Sequence, residues 1–152
     1  MRKLKNQFKA AELKISYKAA IHPTAITSEK DAEQFFYAIW DKKLINLQEQ
    51  FYVLYLNQAS EVICWRCLHT GAITSSVIDM RLLFGVAFGC CATRIIIAHN
   101  HPAGQLNPSQ LDYNLTHRIK QAGKLLEVPL ADHLIIAGGK SVSFYATGLM
   151  ER

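Results

Sequence analysis

The chain has 152 residues, half of them hydrophobic, which is enough for one domain to bury a core without disulfides. No apolar run approaches the length needed to cross a bilayer, so no membrane role is expected. The net charge of +5 is uneven: residues 1–18 hold six Lys or Arg against one acid, Glu12, and the remaining eleven basic and eleven acidic residues leave the body neutral.

The opening MRKLKNQFKAAELK lacks the apolar stretch of a secretory signal. The four Cys are therefore expected as free thiols in a reducing cytosol, and the location as cytoplasmic. Residues 1–27 read as a basic arm ending in a short edge strand at 13–17, and residues 28–152 as the folded domain. A solvated arm is the plain reading; a weak electrostatic contact with nucleic acid is the functional one.

Ser28 with Asp31 marks a capped helix start. Ala32, Phe35, Phe36, Ile39 and Trp40 then recur at helical spacing and form one apolar face, read as core. Residues 51–57 and 61–69 are expected strands around a turn at 58–60. The second contains Cys64 and Cys67 in a C-x-x-C. Three apart on a strand they face opposite sides, which argues against a shared metal. His69 closes that strand and is read as a cleft residue rather than a ligand. Residues 82–92 are the next helix; Gly85, Ala87 and Gly89 let it pack closely, and Cys90 and Cys91 are expected buried and inert.

The stretch that organises the chain follows, IIIAHNHPAGQLNPSQLD at 95–112. Its β-branched start suits a buried strand. His99 and His101 project the same way while strand geometry persists. Pro102 and Gly104 turn the chain, and Asn107-Pro108 reads as N-cap and first helical residue. Ser109 and Asp112, three apart, then share a helix face. Beyond them Leu111, Leu115, Ile119 and Ala122 make an apolar face, Gly123 suits the C-terminal cap, and His117 points to solvent. A strand at 133–137, the Gly138-Gly139 turn and a returning strand at 142–145 complete the pattern. Alternating helices and strands with a closing hairpin imply a three-layer α/β fold with a mixed sheet.

Two imidazoles and a carboxylate, His99, His101 and Asp112, make three protein ligands with an open fourth position, the pattern of catalytic zinc. Iron, cobalt or manganese fits the same atoms less typically. Such a site lowers the pKa of a water and polarises a carbonyl. Ser109 can supply the donor for a developing oxyanion, and the base must be a carboxylate from elsewhere in the chain.

The skeleton H-x-H-x7-S-x2-D resembles the signature of the MPN/JAMM metalloprotease superfamily, which places a Glu upstream. The flanking AHNHPAG and NPSQLD resemble its bacterial RadC branch, over most of the chain from residue 28 onward. The resemblance implies the MPN fold, which is cytidine-deaminase-like, one zinc per chain, and hydrolysis of a peptide or isopeptide bond. It places the base at Glu49, just before the strand in LQEQFYVLYLN; Glu61 is the rival. Two departures stand out. Asp79-Met80-Arg81 replaces the usual Asp-Pro-Arg, and there is no room for the helix-hairpin-helix module of longer RadC proteins. Two further readings come from other classes: a DNA-repair-associated or nucleic-acid-binding protein, motivated by the basic arm and the branch's name, and a non-catalytic scaffold. A nucleoside deaminase needs H-x-E and P-C-x-x-C, and this chain has neither. Asp132-His133 resembles a pair common in the RadC branch; His133 is either an outer partner of a ligand or a hydrogen-bonded core residue.

Overall fold

The computed structural model describes residues 23–71 and 78–151. In chain order the elements are helix α1 (Glu29–Ile39), strands β1 (Gln50–Leu56) and β2 (Val62–Thr70), helix α2 (Met80–Gly89), strand β3 (Arg94–Asn100), helix α3 (Gln110–Leu125), and strands β4 (Leu130–Ala137) and β5 (Lys140–Ser143). The strands form one sheet in the order β2-β1-β3-β4-β5. Only β3 and β4 run parallel, joined through α3; the other neighbours are antiparallel. The mixed sheet of the α/β expectation is therefore present.

Each face of the sheet carries its own core. Phe51, Val53, Tyr55, Ile95 and Ile97 face α2 and α3 and meet Leu83, Phe84, Leu115 and Ile119. Tyr52, Leu54, Ile96 and Ala98 face α1 and meet Ala32, Phe36 and Trp40. Adjacent strand residues thus serve opposite layers, as the period of two requires. This also separates the C-x-x-C. Cys64 packs on the α2/α3 side, in the same core as Cys90, and Cys67 packs on the α1 side.

Several boundaries differ from the sequence reading. The arm's expected strand at 13–17 lies outside the described residues. The end of that same stretch already joins the body: Ala25 bridges Glu61, Val62 N–H donates to Thr24 O at 2.8 Å, and Ile26 is buried. Helix α2 starts two residues earlier than expected, because the Asp79 carboxylate caps it by accepting from the Arg81 amide at 2.9 Å. It stops earlier too. Cys91 takes a positive φ of 55° just past it and is exposed, not buried as expected, whereas Cys90 is buried.

Gly123 lies inside α3 rather than at its cap, and Glu127 takes the left-handed turn at φ 58°. The glycine is required by close approach: a Cβ there would sit 2.5 Å from the Val128 carbonyl. Gly138 and Gly139, both at positive φ, form the expected two-residue hairpin turn. The return strand begins at Lys140, directly after that turn, not at 142. No helix among the described residues is long and apolar enough to cross a membrane.

Candidate metal centre

Three elements end at one point. Strand β3 finishes at Asn100, beside the start of antiparallel β1 and in line with parallel β4. Helix α3 begins there. The carboxyl ends of strands beside a helix N-terminus are where α/β sheets place ligands.

His99 is the last α3-facing residue of β3 and is buried. His101 lies just past the strand, yet its amide still donates to Ile136 O at 2.9 Å, so the extended course continues. Asp112 comes from the first turn of α3. The helix does not start at Asn107-Pro108 as expected. Ser109 is the N-cap: its hydroxyl accepts from the Asp112 amide at 3.2 Å, and the Asp112 carboxylate accepts from the Ser109 amide at 2.7 Å. This reciprocal capping box outcompetes the Asn-Pro signal.

His99 Nε2 lies 3.0 Å from His101 Nε2 and 3.0 Å from Asp112 Oδ1; His101 Nε2 lies 3.6 Å from Asp112 Oδ2. One ligand atom from each of the three falls within 4.8 Å of the others. Donors bound to tetrahedral zinc at about 2.1 Å stand ~3.4 Å apart, so these separations fit such an ion. The donor chemistry, two imidazoles and a carboxylate, fits it too.

Burial acts to raise the Asp112 carboxyl, but His101, then His99 and the Ser109 hydroxyl outweigh it and hold the group well below the usual carboxylate range. The Asp112 carboxylate, 3.6 Å from His101 Nε2, raises that imidazole above its ordinary value against the effect of burial.

Glu49 lines the same cavity, about 290 Å³, with His99, His101, Ser109, Leu111 and Asp112. It acts on the His101 charge from there. Leu111 is half exposed at the cavity rim, not on the apolar face of α3 where it was expected. The rival Glu61 is elsewhere: it follows the β1–β2 turn and bonds Asn57. The Ser109 hydroxyl points at the Asp112 carboxylate, 2.7 Å away.

Sequence reasoning missed Asn100. Read only as the spacer between two His, it is fully buried on the α1 side. Its amide donates to Ile45 O at 2.6 Å and Gln48 O at 2.8 Å, and its carbonyl accepts from Gln50 N at 2.6 Å. Both peptide neighbours of Glu49 are therefore fastened to β3. The Glu49 carbonyl is fastened as well, accepting from Gly71 N at 2.8 Å. The signal available was a polar residue at the end of a strand face that, after Arg94, is otherwise apolar.

Thr116 was also missed. Its hydroxyl lies 2.6 Å from His133 Nδ1, and His133 Nε2 lies 2.8 Å from His99 Nδ1. His133 therefore touches a candidate ligand, while stacking on Phe144 at 4.6 Å. Burial pushes its imidazole well below the ordinary value. Asp132 turns away, to Ser143 Oγ at 2.6 Å and Tyr145 N at 2.9 Å.

Comparison with known proteins agrees with this geometry. The family model for the RadC-like JAB domain matches residues 26–149. A UPF0758 protein of Flavobacterium johnsoniae is 42% identical over 125 residues, covering 82% of this chain and 53% of that protein. UPF0758 protein YfjY of Escherichia coli strain K12 is 39% identical over 103 residues, covering 68% of this chain and 64% of its own. A UPF0758 protein of Staphylococcus carnosus is 35% identical over 127 residues, covering 83% and 54%. The chain spans about half the length of most of the curated relatives it matches. With a mixed sheet between helical layers, a His-His-Asp group that could hold a metal, and a family match over most of its length, the chain belongs to the RadC-like JAB domain family, within the MPN/JAMM superfamily.

Proposed function

We propose that His99, His101 and Asp112 hold one zinc ion and that the protein hydrolyses an amide bond, in a peptide or an isopeptide. The observation that carries this reading is the convergence of three ligand atoms in a cavity that Glu49 also lines. Bound there, zinc supplies a Lewis acid and a water acidic enough to be ionised near neutral pH.

The chain's own groups then divide the remaining work. Glu49 accepts a proton from the attacking water and returns it to the leaving amine. Its backbone is held on both sides by Asn100, so the carboxylate is presented from a fixed position. Ser109 orients the Asp112 carboxylate through the capping box; turned toward the cavity, its hydroxyl donates to the oxyanion of the tetrahedral intermediate. The half-exposed Leu111 gives the cavity rim an apolar contact for a substrate side chain. The nucleic-acid reading was motivated by the branch's name and by the basic residues 1–18, which lie outside the described residues.

The test is a screen of zinc-loaded protein against peptide and isopeptide libraries, run beside Glu49→Gln. The variant is expected to keep its zinc and lose turnover by roughly 10²–10⁴-fold, the usual contribution of a general base. Equal rates in the two proteins would remove Glu49 from the mechanism.

A further inference from the structure

We propose that Thr116 and His133 are positioning residues that fix which ring nitrogen of His99 carries its hydrogen, so that Nε2 presents a lone pair to the metal position. This deepens the metal-centre reading and rests on it.

The direction of each hydrogen bond follows from one group that has no hydrogen to give. The main-chain carbonyl of Asp112 only accepts. Thr116 Oγ1 lies 2.6 Å from it, one helical turn on, so the hydroxyl hydrogen points there. The hydroxyl has no second hydrogen. At 2.6 Å from His133 Nδ1 it must therefore accept, and Nδ1 carries the hydrogen. His133 is fully buried; its amide donates to Asp132 Oδ1 at 2.7 Å, while its ring nitrogens meet Thr116 and His99. A charged ring there would be costly, so it holds one hydrogen only. Its Nε2 is then an acceptor and takes the Nδ1 hydrogen of His99, 2.8 Å away. That leaves Nε2 of His99 bare, 3.0 Å from Asp112 Oδ1.

His101 is set by a shorter route. Its Nδ1 lies 2.8 Å from the Gln105 carbonyl, another group that only accepts, so in the neutral ring, the form that binds a metal, its Nε2 is bare as well. Two lone pairs 3.0 Å apart and an ionised carboxylate repel one another unless a cation sits among them. The longer route also closes on itself. Asp112 offers its carboxylate to the ion, and through its carbonyl, Thr116 and His133 it sets the tautomer of its fellow ligand. With the hydroxyl gone, His133 loses the acceptor that fixes its tautomer. Its hydrogen can then sit on Nε2, which turns His99 Nδ1 into an acceptor and puts a hydrogen on the nitrogen that should bind metal.

The experiment uses the full chain, zinc alone as the probe, and a chromophoric chelator as competitor at constant pH. Thr116→Val removes the hydroxyl at nearly constant shape and is expected to weaken zinc binding ~10-fold or more, the usual cost of losing an outer partner. Thr116→Ser restores the hydroxyl and is expected to bind like wild type. Long-range ¹H–¹⁵N spectra of ¹⁵N-histidine protein, recorded with and without zinc, should show His133 hydrogenated at Nδ1; a merely structural role for Thr116 would not move that signature.

Wild-type spectra with the hydrogen on Nε2 of His133 would overturn the proposal, even if Thr116→Val failed to fold. So would a folded Thr116→Val that bound zinc as tightly as wild type. A wild-type chain that took up no zinc would sink the metal-centre reading instead, while the metal-free spectra would still decide the tautomer.

Discussion

At Asp112 three groups of one residue act together. The carboxylate faces two imidazoles, the amide is capped by Ser109, and the carbonyl takes the Thr116 hydrogen. Position and chemistry are thereby tied: a shift of the helix start would move the candidate ligand. Asn100 does the equivalent on the opposite face of β3. Replacing it by Asp turns both donors into lone pairs that face the carbonyls of Ile45 and Gln48. Asn100→Asp is expected to lose at least ~2 kcal/mol of stability, because buried acceptors go unpaired, while still taking up zinc. Urea unfolding and metal content measure the two. An undiminished stability would show that Asn100 does not hold the Glu49 segment.

At the level of elements, the residues that carry local signals were legible and those that act across the fold were not. Ser28 with Asp31 gave the α1 start because a capping box is a local, spaced pattern. Glu49 was proposed from the resemblance, which places a Glu just before a strand, and it lines the cavity with the His-His-Asp group. The α3 start was misplaced because Asn107-Pro108 and Ser109 both resemble caps, and only the reciprocal bonds of Ser109 with Asp112 decide between them. Gly123 carries no local mark of the carbonyl that excludes its Cβ. The contact of His133 with His99 spans thirty-four residues and depends on β4 pairing with β3, which no local pattern shows.

Asp79 provides an element-scale prediction. It stands where its relatives' branch was expected to place Asp before Pro, and it caps α2 without the proline. Bonding to the exposed Arg81 side chain, and then to its amide, holds the Asp79 carboxyl down at about 2 against an ordinary 3.8. A lowered acid stabilises the folded state above its unfolded value, and that contribution disappears as pH falls through the folded one. Asp79→Asn keeps an acceptor for the cap but no charge. The melting-temperature gap between wild type and variant should be constant above pH 5 and close as pH falls through the interval from 3.8 to about 2. A gap that widens on acidification would contradict the assignment.

The whole molecule is a sheet with a core on each side and a site at the strand ends where the layers meet. The α2/α3 face supplies His99, Asp112, Thr116 and His133; the α1 face supplies Asn100 and, through it, the Glu49 segment. The β3 alternation divides these duties, with neighbouring residues His99 and Asn100 serving opposite faces of one strand. The most direct test is metal content by mass spectrometry on protein purified without an affinity tag, beside Asp112→Ala. The account predicts one zinc per chain in the wild type and its near-complete loss in the variant. A wild-type protein that remained metal-free after dialysis against zinc would contradict it.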